Sequence, residues 1–396
     1  MRIESIRLKN YKVFRSACIT DMPNLCVTVG ANGTGKTNLF GVFGFLKDCM
    51  LNGVHKAMQQ RGGFREMLSR GVRSDSNIEI EIKFHLNIAD KDRLVTYWLV
   101  LNEEKGRVVV QREVLRYKRG AYGSPFHFID FKRGQGYAIN NEEDFSRPDE
   151  QLTREEQKVA FDNLAIRGLG QFERFKAANA FRSLIENWHV SDFHISAARG
   201  SKDAVGMEEH LSVTGDNLQL VARNIYESHP KIFERILDRM RSRVPGVNDI
   251  TPKLTEDSRL LLQFKDGAFT DPFIDRYVSD GTIKMFAYLV LLNDPNPYPL
   301  LCVEEPENQL YPTLLWELAE EFRDYARRGG QVLVSTHSPD LLNALRLEEV
   351  FWLIKENGYS QIRRARDDAQ IAAYMKEGDQ MGYLWKQGLF KGVDPK

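Results

Sequence analysis

The feature that most constrains the fold of this chain is the octapeptide Gly30-Ala31-Asn32-Gly33-Thr34-Gly35-Lys36-Thr37. The apolar run before it, residues 25–29, predicts a buried strand, and the apolar spacing over residues 37–50 predicts a helix. A glycine-rich turn between a strand and a helix, closed by Lys-Thr, is typical of a phosphate-binding loop, or P-loop. The sequence therefore predicts an α/β fold built around this turn.

The residue types of the P-loop suit the phosphates of a nucleotide. Its glycines accept positive φ and let backbone N–H groups point at phosphate oxygens, and the helix N-terminus adds about half a unit of positive charge. Lys36 adds a full charge, and the Thr37 hydroxyl is a suitable ligand for Mg²⁺. The predicted binding residues are Gly30, Asn32, Gly33, Thr34, Gly35, Lys36, Thr37 and Asn38. The alternative is a glycine-rich turn that only caps a helix.

Two adjacent carboxylates follow a second apolar strand. Residues 298–303 lead into Glu304-Glu305-Pro306-Glu307-Asn308, so the pair lies at the carboxyl end of a strand, where open α/β sheets bind ligands. Because neighbouring strand residues point in opposite directions, we expect Glu304 to assist Mg²⁺ and Glu305 to polarise an attacking water. The alternative is that both are surface glutamates without a role.

A third strand, residues 331–335, leads into Thr336-His337-Ser338-Pro339, and Pro339 opens a predicted helix. An imidazole at that strand end can hydrogen-bond a γ-phosphate, although a histidine considered alone more often has a structural role. His337 is therefore a candidate functional residue.

The segment Ser279-Asp280-Gly281-Thr282 precedes the apolar run of residues 285–292. Ser279 is a favourable N-cap, and the small residues leave N–H groups open at the predicted helix start. Ser279 and Gly281 are thus candidates for a second anion site; the alternative is an ordinary capped core helix.

The composition narrows the function classes. The 396 residues, 42% of them apolar, can bury one large core or two domains. The 55 basic and 55 acidic residues balance, so no general attraction to nucleic acid is expected. The four cysteines lack CxxC spacing, and no apolar run approaches the roughly 20 residues that span a bilayer. We expect a cytoplasmic protein with reduced thiols and no membrane contact.

The region between the P-loop and the later motifs predicts strands followed by helices. Residues 78–86 alternate strictly between apolar and polar, and residues 96–101 and 107–117 continue this pattern. Residues 120–151 predict mainly loops. The remaining predicted elements are helices over residues 153–166, 171–188, 216–226 and 231–244 and a strand over residues 193–197. None of these helices sustains coiled-coil heptads.

The order of these motifs resembles that of the ABC-type ATPase heads of SMC, RecF and OLD-family proteins. The P-loop comes first, then a long insert, then Ser-Asp-Gly-Thr, Glu-Glu-Pro-Glu and Thr-His-Ser. The chain looks closest to stand-alone bacterial ATPases that are grouped with AbiEii-type and OLD-like ATPases. The resemblance implies an α/β P-loop NTPase of ABC/SMC-head type, two-lobed, with a mixed central sheet and a helical insertion. We expect a first ATPase lobe at residues 1–118, a loop and helical insertion at 119–244, and a second lobe at 245–396.

The resemblance also implies the cofactors ATP and Mg²⁺ and roles for single residues. Lys36, Glu305 and His337 stand for the P-loop lysine, the catalytic glutamate and the switch histidine of such heads. Thr37 and Glu304 would hold the metal ion, although SMC proteins usually have aspartate in place of Glu304.

Ser279 and Gly281 stand in what such heads use as a signature loop, which contacts ATP bound by a second subunit. Asp280 departs from the usual Ser-Gly-Gly-Gln. A homodimer that forms head to tail around ATP, or a higher oligomer, is the expected assembly.

The function implied by the resemblance is that of an Mg·ATP-hydrolysing conformational switch. Its expected setting is bacterial anti-phage defence, where it would regulate a separately encoded effector protein. A RecF-like DNA-repair ATPase that clamps DNA and an ATP-gated scaffold with little turnover are the alternatives. Acids flank the arginine clusters at residues 61–73, 235–243 and 363–366, which favours solvated faces. DNA contact through these clusters is the alternative.

Overall fold

The computed structural model describes residues 2–120, 124–144, 146–203 and 205–391. The described residues fall into two compact units. Unit 1 takes those within Met1–Trp188, Leu347–Asp379 and Gln387–Lys396, and unit 2 takes those within His189–Arg346 and Gln380–Lys386. The three-part division by sequence stays a prediction.

The strands are β1 (Arg2–Tyr11), β2 (Phe14–Ile19), β3 (Leu25–Val29), β4 (Ile78–Ile88), β5 (Lys91–Glu104), β6 (Arg107–Tyr117), β7 (Phe126–Lys132), β8 (Gln135–Ile139), β9 (Arg154–Lys158), β10 (Trp188–Ser191), β11 (Lys202–Asp203), β12 (Val247–Leu254), β13 (Arg259–Asp266), β14 (Phe273–Ile274), β15 (Leu300–Glu304), β16 (Gln331–Thr336), β17 (Val350–Glu356) and β18 (Tyr359–Arg364). The helices are α1 (Lys36–Asn52), α2 (Val54–Gln59), α3 (Phe64–Met67), α4 (Ala165–Leu169), α5 (Lys176–Glu186), α6 (Ile195–Ala198), α7 (Leu218–Ser228), α8 (Pro230–Arg243), α9 (Asp280–Leu292), α10 (Leu314–Arg327), α11 (Pro339–Asn343), α12 (Ala369–Glu377) and α13 (Met381–Lys386).

A large antiparallel sheet dominates unit 1. Its strand order is β2-β1-β4-β5-β6-β7-β8-β9. Along β4 the isoleucines are buried and the residues between them are less so, as the alternating sequence predicts. The predicted strands over residues 78–86, 96–101 and 107–117 are confirmed as β4, part of β5 and β6.

One sequence prediction in the following region is wrong, and another lacks two strands. Loops predominate among the described residues of 120–151, as predicted, but β7 and β8 also lie there. Strand β9 replaces the first part of the helix predicted over residues 153–166. The β9 sequence, Arg-Glu-Glu-Gln-Lys, has no apolar residue and forms the last strand of the sheet order. Its strand state comes from backbone pairing with β8, which a search for apolar periodicity does not detect.

The later helices agree better with their predictions. Helices α5, α7 and α8 confirm those predicted over residues 171–188, 216–226 and 231–244. The strand predicted over residues 193–197 is wrong: α6 lies there, and β10 precedes it.

The elements around the sequence motifs form a second set of strands in each unit. In unit 1, β3 pairs in parallel with β17, which pairs antiparallel with β18, and α1 follows the P-loop. In unit 2, β15 and β16 are parallel, and β11, β13 and β12 form a smaller sheet that β14 joins. Within the described ranges no helix combines the length and the apolarity that crossing a bilayer requires.

Candidate functional site

The P-loop connects β3 to α1 and has the backbone that its glycines predict. Gly33 and Gly35 have φ values of 82° and 99°, in the left-handed region that favours glycine. A Cβ atom at Gly35 would lie 2.5 Å from Cγ2 of Val13, so space as well as backbone geometry requires glycine there. Gly35 also precedes α1 without a capping side chain, so the positive end of the helix dipole lies at the P-loop.

Lys36 lies within this loop. Its Nζ donates to the carbonyl oxygens of Gly30 and Ala31 at 2.6 and 3.3 Å, and the residue is only 6% exposed. Thr34 closes the loop through its Oγ1, which donates to the Ala31 carbonyl at 2.8 Å. Ser360 of β18 holds it from outside by donating to the Thr34 carbonyl at 2.6 Å. The loop is therefore a formed structure with an ammonium group inside it.

The residues that a nucleotide would reach first are accessible. Asn32, Gly33 and Thr37 are exposed, and Asn38 is half-buried. Thr37 lies in the first turn of α1, where a hydroxyl beside bound phosphates can ligate Mg²⁺. The donor set of glycine N–H groups, an ammonium and a hydroxyl therefore fits both ATP and its metal ion.

In unit 2 the Glu304-Glu305 motif and the Thr336-His337-Ser338 motif lie at the same end of two paired strands. Strands β15 and β16 are parallel, with Glu304 opposite Ser335, so both end at the same level. Glu305 follows with φ of 44°, unusual for a residue with a side chain, and its N–H donates to the Ser335 carbonyl at 2.9 Å. Backbone of this kind occurs in tight turns and also clusters at active sites.

The structure brings Glu305 and His337 together. Nδ1 of His337 lies 3.3 Å from Oε1 of Glu305 and 3.5 Å from Oε1 of Glu307. The side-chain amide of Asn308 donates to Oε2 of Glu305 at 3.1 Å. Sequence reasoning predicted Glu305 and His337 but no contacts for Glu307 and Asn308. The sequence feature that could have indicated Glu307 and Asn308 is their position directly after the two acids, in Glu304-Glu305-Pro306-Glu307-Asn308.

The segment that the resemblance identifies as a signature loop opens α9. Ser279 caps the helix as predicted, since its Oγ accepts from the Thr282 N–H at 3.2 Å. Asp280 pairs with Arg199. A Cβ atom at Gly281 would lie 2.7 Å from the Gln309 carbonyl oxygen, so the first turn of α9 packs against the loop that follows β15.

Lys284 connects α9 to that same loop and was not predicted from the sequence. It is 6% exposed, and its Nζ donates to the Asn308 carbonyl at 2.7 Å. Burial lowers the pKa of Lys284 to about 8, against the opposing charges of Glu307 and Glu305. Lys284 therefore loses its proton more readily than an ordinary lysine, and the charges of Glu307 and Glu305 act on it.

The predicted site residues divide between the units. Unit 1 contains the P-loop, and unit 2 contains Glu304, Glu305, His337, Ser279 and Gly281. Their roles in binding and catalysis stay predictions.

Comparison with solved structures identifies the fold. The head of an Smc protein bound to the C-winged helix domain of ScpA is 14% identical, with a TM-score of 0.54, and the match covers 92% of this chain and 97% of that one. An Smc head with an extended coiled coil, bound to the C-terminal domain of ScpA derived from Pyrococcus furiosus, is 12% identical, with a TM-score of 0.52 and coverage of 94% and 99%. These likenesses show the fold alone, and they confirm the predicted P-loop ATPase head of ABC/SMC type.

Comparison with curated protein sequences gives no match. The family profile described as "AAA domain, putative AbiEii toxin, Type IV TA system" matches residues 27–343 of the chain. This range runs from β3 to α11 and includes the P-loop, the signature segment and both strand-end motifs. The chain therefore belongs to this AAA-domain family, with the nucleotide-binding ATPase fold that the sequence resemblance implied.

Proposed function

We propose that this chain hydrolyses ATP with Mg²⁺ and works as a conformational switch whose two copies associate head to tail around the nucleotide. The observation that carries the proposal is the contact between Glu305 and His337. A carboxylate and an imidazole 3.3 Å apart at the ends of two parallel strands suit the activation of a water molecule and the detection of a phosphate. The formed P-loop of the same chain supplies the phosphate site.

The proposed roles follow from the chemistry of each group. Lys36 neutralises the β- and γ-phosphates, and Thr37 and Glu304 hold Mg²⁺ directly or through water. ATP supplies the bond that breaks; Glu305 orients and polarises the attacking water, and His337 donates a hydrogen bond to the γ-phosphate. Each of these roles can therefore be tested by substituting that residue alone.

The signature segment supports a two-copy site. Ser279 is exposed at the first turn of α9, where N–H groups and the helix dipole favour an anion. Tyr277, two residues earlier, is 73% exposed, which suits a surface that a second copy covers. We infer that Ser279 and Gly281 contact the γ-phosphate held by the P-loop of the other copy.

The partner that this switch controls is, we infer, a separately encoded effector protein in the bacterial cytoplasm. The family's description names a toxin of a type IV toxin–antitoxin system, and the matched Smc heads are bound to domains of ScpA. Anti-phage defence is therefore the proposed setting. DNA is a weaker candidate because Arg61, Arg70 and Arg73 pair with Asp48, Glu66 and Asp75 at 2.6 to 2.7 Å.

Hydrolysis and mass in solution test the proposal together. We expect Lys36→Ala to abolish ATP binding, and Glu305→Gln to bind ATP, to stop turnover and to double in mass by light scattering when Mg·ATP is added. Glu305→Gln turnover at the wild-type rate would refute the catalytic assignment. A mass that ATP leaves unchanged would refute the ATP-dependent dimer, and strong stimulation of hydrolysis by DNA would favour the repair function.

Mixing two inactive variants tests whether Ser279 acts across the dimer. Ser279→Arg should bind ATP but neither dimerise nor hydrolyse it, whereas Ser74→Arg, an exposed control, should behave as the wild type. A mixture of Lys36→Ala and Ser279→Arg chains contains one intact composite site per mixed dimer if Ser279 acts across the dimer. Recovery of hydrolysis in the mixture is expected; no recovery in a mixture that light scattering shows to dimerise would mean that Ser279 serves its own P-loop.

A further inference from the structure

Glu307 holds the turn that carries His337. Its Oε1 accepts two hydrogen bonds, from Oγ1 of Thr336 at 2.6 Å and from the His337 N–H at 3.0 Å. The same oxygen lies 3.5 Å from Nδ1 of His337. One carboxylate oxygen therefore fixes the backbone on which the imidazole stands and faces the imidazole itself.

The hydrogen bonds continue from Glu307 into α11. Oγ1 of Thr336 accepts from the Ser338 N–H at 2.9 Å, and Oγ of Ser338 accepts from the Leu341 N–H at 3.3 Å. Ser338 is the N-cap of α11, so the connection from Glu307 ends at a helix start. The turn between β16 and α11 is thereby fixed at both ends.

The other carboxylate oxygen of Glu307, Oε2, is in a different environment. The Glu307 side chain is 8% exposed, and its Oε2 is buried without a hydrogen-bond partner in the described part of the chain. A buried acceptor without a partner is unfavourable, so this carboxylate is retained against a stability cost. Groups with such a cost are more typical of functional sites than of plain structural contacts.

We propose that Glu307 is a positioning residue of the reaction: it holds His337 in the orientation that places the imidazole against Glu305. This inference rests on the proposed function. In this role Glu307 acts through Thr336 and the main chain of His337 rather than on the phosphate or the water. Its acceptor oxygen matters for this role, and its negative charge does not.

That distinction gives a sharp pair of variants. Glu307→Gln keeps an acceptor oxygen for both hydrogen bonds and replaces only the unpartnered Oε2, so it should retain activity. Glu307→Ala removes the acceptor and frees the His337 turn. Misplacing a functional group by a fraction of an ångström to 1 Å lowers turnover by on the order of 10- to 100-fold.

Steady-state ATP hydrolysis and direct ATP binding test the proposal. We expect Glu307→Ala to lower kcat roughly 10- to 100-fold, with KM and the Kd for ATP within about threefold of the wild type. Glu307→Gln should stay within about threefold of the wild type in all three quantities. Wild-type turnover in Glu307→Ala would refute the proposal, and so would Glu307→Gln as inactive as Glu307→Ala.

A second buried glutamate of unit 2 separates positioning from folding. Glu321 is 2% exposed and pairs with Arg239, away from the strand-end motifs in the sequence. Glu321→Ala should lower the unfolding temperature and leave kcat per folded molecule unchanged. An equal loss of kcat in Glu321→Ala and Glu307→Ala would show a general structural effect and overturn the proposal.

The outcome is distinguishable from failure of the proposed function. If the wild type does not hydrolyse ATP, or Glu305→Gln hydrolyses it at the wild-type rate, the proposed function fails. If Glu305→Gln is inactive and Glu307→Ala is fully active, only the role of Glu307 is refuted.

Discussion

Replacing Glu113 with glutamine should stabilise the protein, and more so as the pH rises. Glu113 lies in β6 and is 1% exposed. Its Oε1 accepts from the Tyr97 hydroxyl at 3.0 Å, and its Oε2 accepts from the N–H of Ala165, the first residue of α4, at 2.6 Å. Burial raises the pKa of Glu113 to about 7, against the opposing effect of these hydrogen bonds.

The magnitude follows from the difference between the folded and unfolded states. The carboxyl ionises near its ordinary pKa of 4.5 when unfolded and near 7 when folded, so the folded state binds the proton more tightly. The stability that this proton contributes is fully present below pH 4.5 and is lost as the pH rises through about 7. At about 1.36 kcal/mol per pKa unit, the ionised carboxylate destabilises the fold by about 3 kcal/mol at pH 8.5 and by under about 1 kcal/mol at pH 5.

Glutamine carries no charge and can accept the same N–H from Ala165. We therefore expect the free energy of unfolding of Glu113→Gln to exceed that of the wild type by about 3 kcal/mol at pH 8.5, with a gap below about 1 kcal/mol at pH 5. Urea unfolding at both pH values measures the gap, and Glu150→Gln, at an exposed position, is the control that should show none. A gap that does not widen with pH, or a variant less stable than the wild type at pH 8.5, would refute the reasoning.

Three further predictions concern Glu142, Gly281 and Lys284. Glu142→Gln should behave as Glu113→Gln does, because burial raises the pKa of Glu142 to about 7; a pH-independent effect would contradict this. Gly281→Ala should lose about 1–3 kcal/mol of stability and slow ATP hydrolysis, since its Cβ would lie 2.7 Å from the Gln309 carbonyl oxygen. The control is Gly267→Ala, whose Cβ meets nothing nearer than 3.9 Å and which should be neutral in both assays. Lys284→Met should remove a pH dependence of the free energy of unfolding. The pKa of Lys284 is about 8 when folded against the ordinary 10.5, so the unfolded wild type binds more protons between these values. In urea unfolding, the wild type should therefore gain up to about 1.4 kcal/mol per pH unit over the variant between pH 8 and 10.

The parts of the fold that the sequence predicted best are those where apolar spacing alone decides the structure. Strand β4 alternates along its length, and the apolar run of α9 is buried from Ile283 to Leu292, so local pattern and tertiary burial agree. The P-loop was predictable for another reason, since its glycines are required by backbone geometry that few other sequences can adopt.

The failures arise where tertiary pairing overrides local preference. Residues 154–158, Arg-Glu-Glu-Gln-Lys, are all good helix formers, yet they form β9 because β8 presents backbone groups for pairing. Charged residues on a terminal strand also discourage pairing with another chain, so this composition has a use that helix propensity hides. Residues 193–197 were misassigned by a smaller margin, because the strand β10 ends just before them.

The candidate site was predictable in its residue types and not in its contacts. Glu305 and His337 could be selected because each follows an apolar strand, but 32 positions separate them, and only the parallel pairing of β15 and β16 brings them within 3.3 Å. Lys284 gave no signal at all, since a lysine one turn into an apolar helix is indistinguishable by sequence from a surface residue.

Within unit 2, two hydrogen bonds connect α9, the helix that begins at the signature segment, to Glu305, the proposed catalytic glutamate. Lys284 of α9 donates to the Asn308 carbonyl at 2.7 Å, and the side chain of Asn308 donates to Oε2 of Glu305 at 3.1 Å. The close approach of Gly281 to the Gln309 carbonyl means that α9 cannot move towards this loop without displacing it. If a second copy engages Ser279, the resulting movement of α9 therefore reaches the Glu305 carboxylate through residues 308–309. In the proposed head-to-tail dimer, nucleotide bound by one copy would in this way set the orientation of Glu305 in the other.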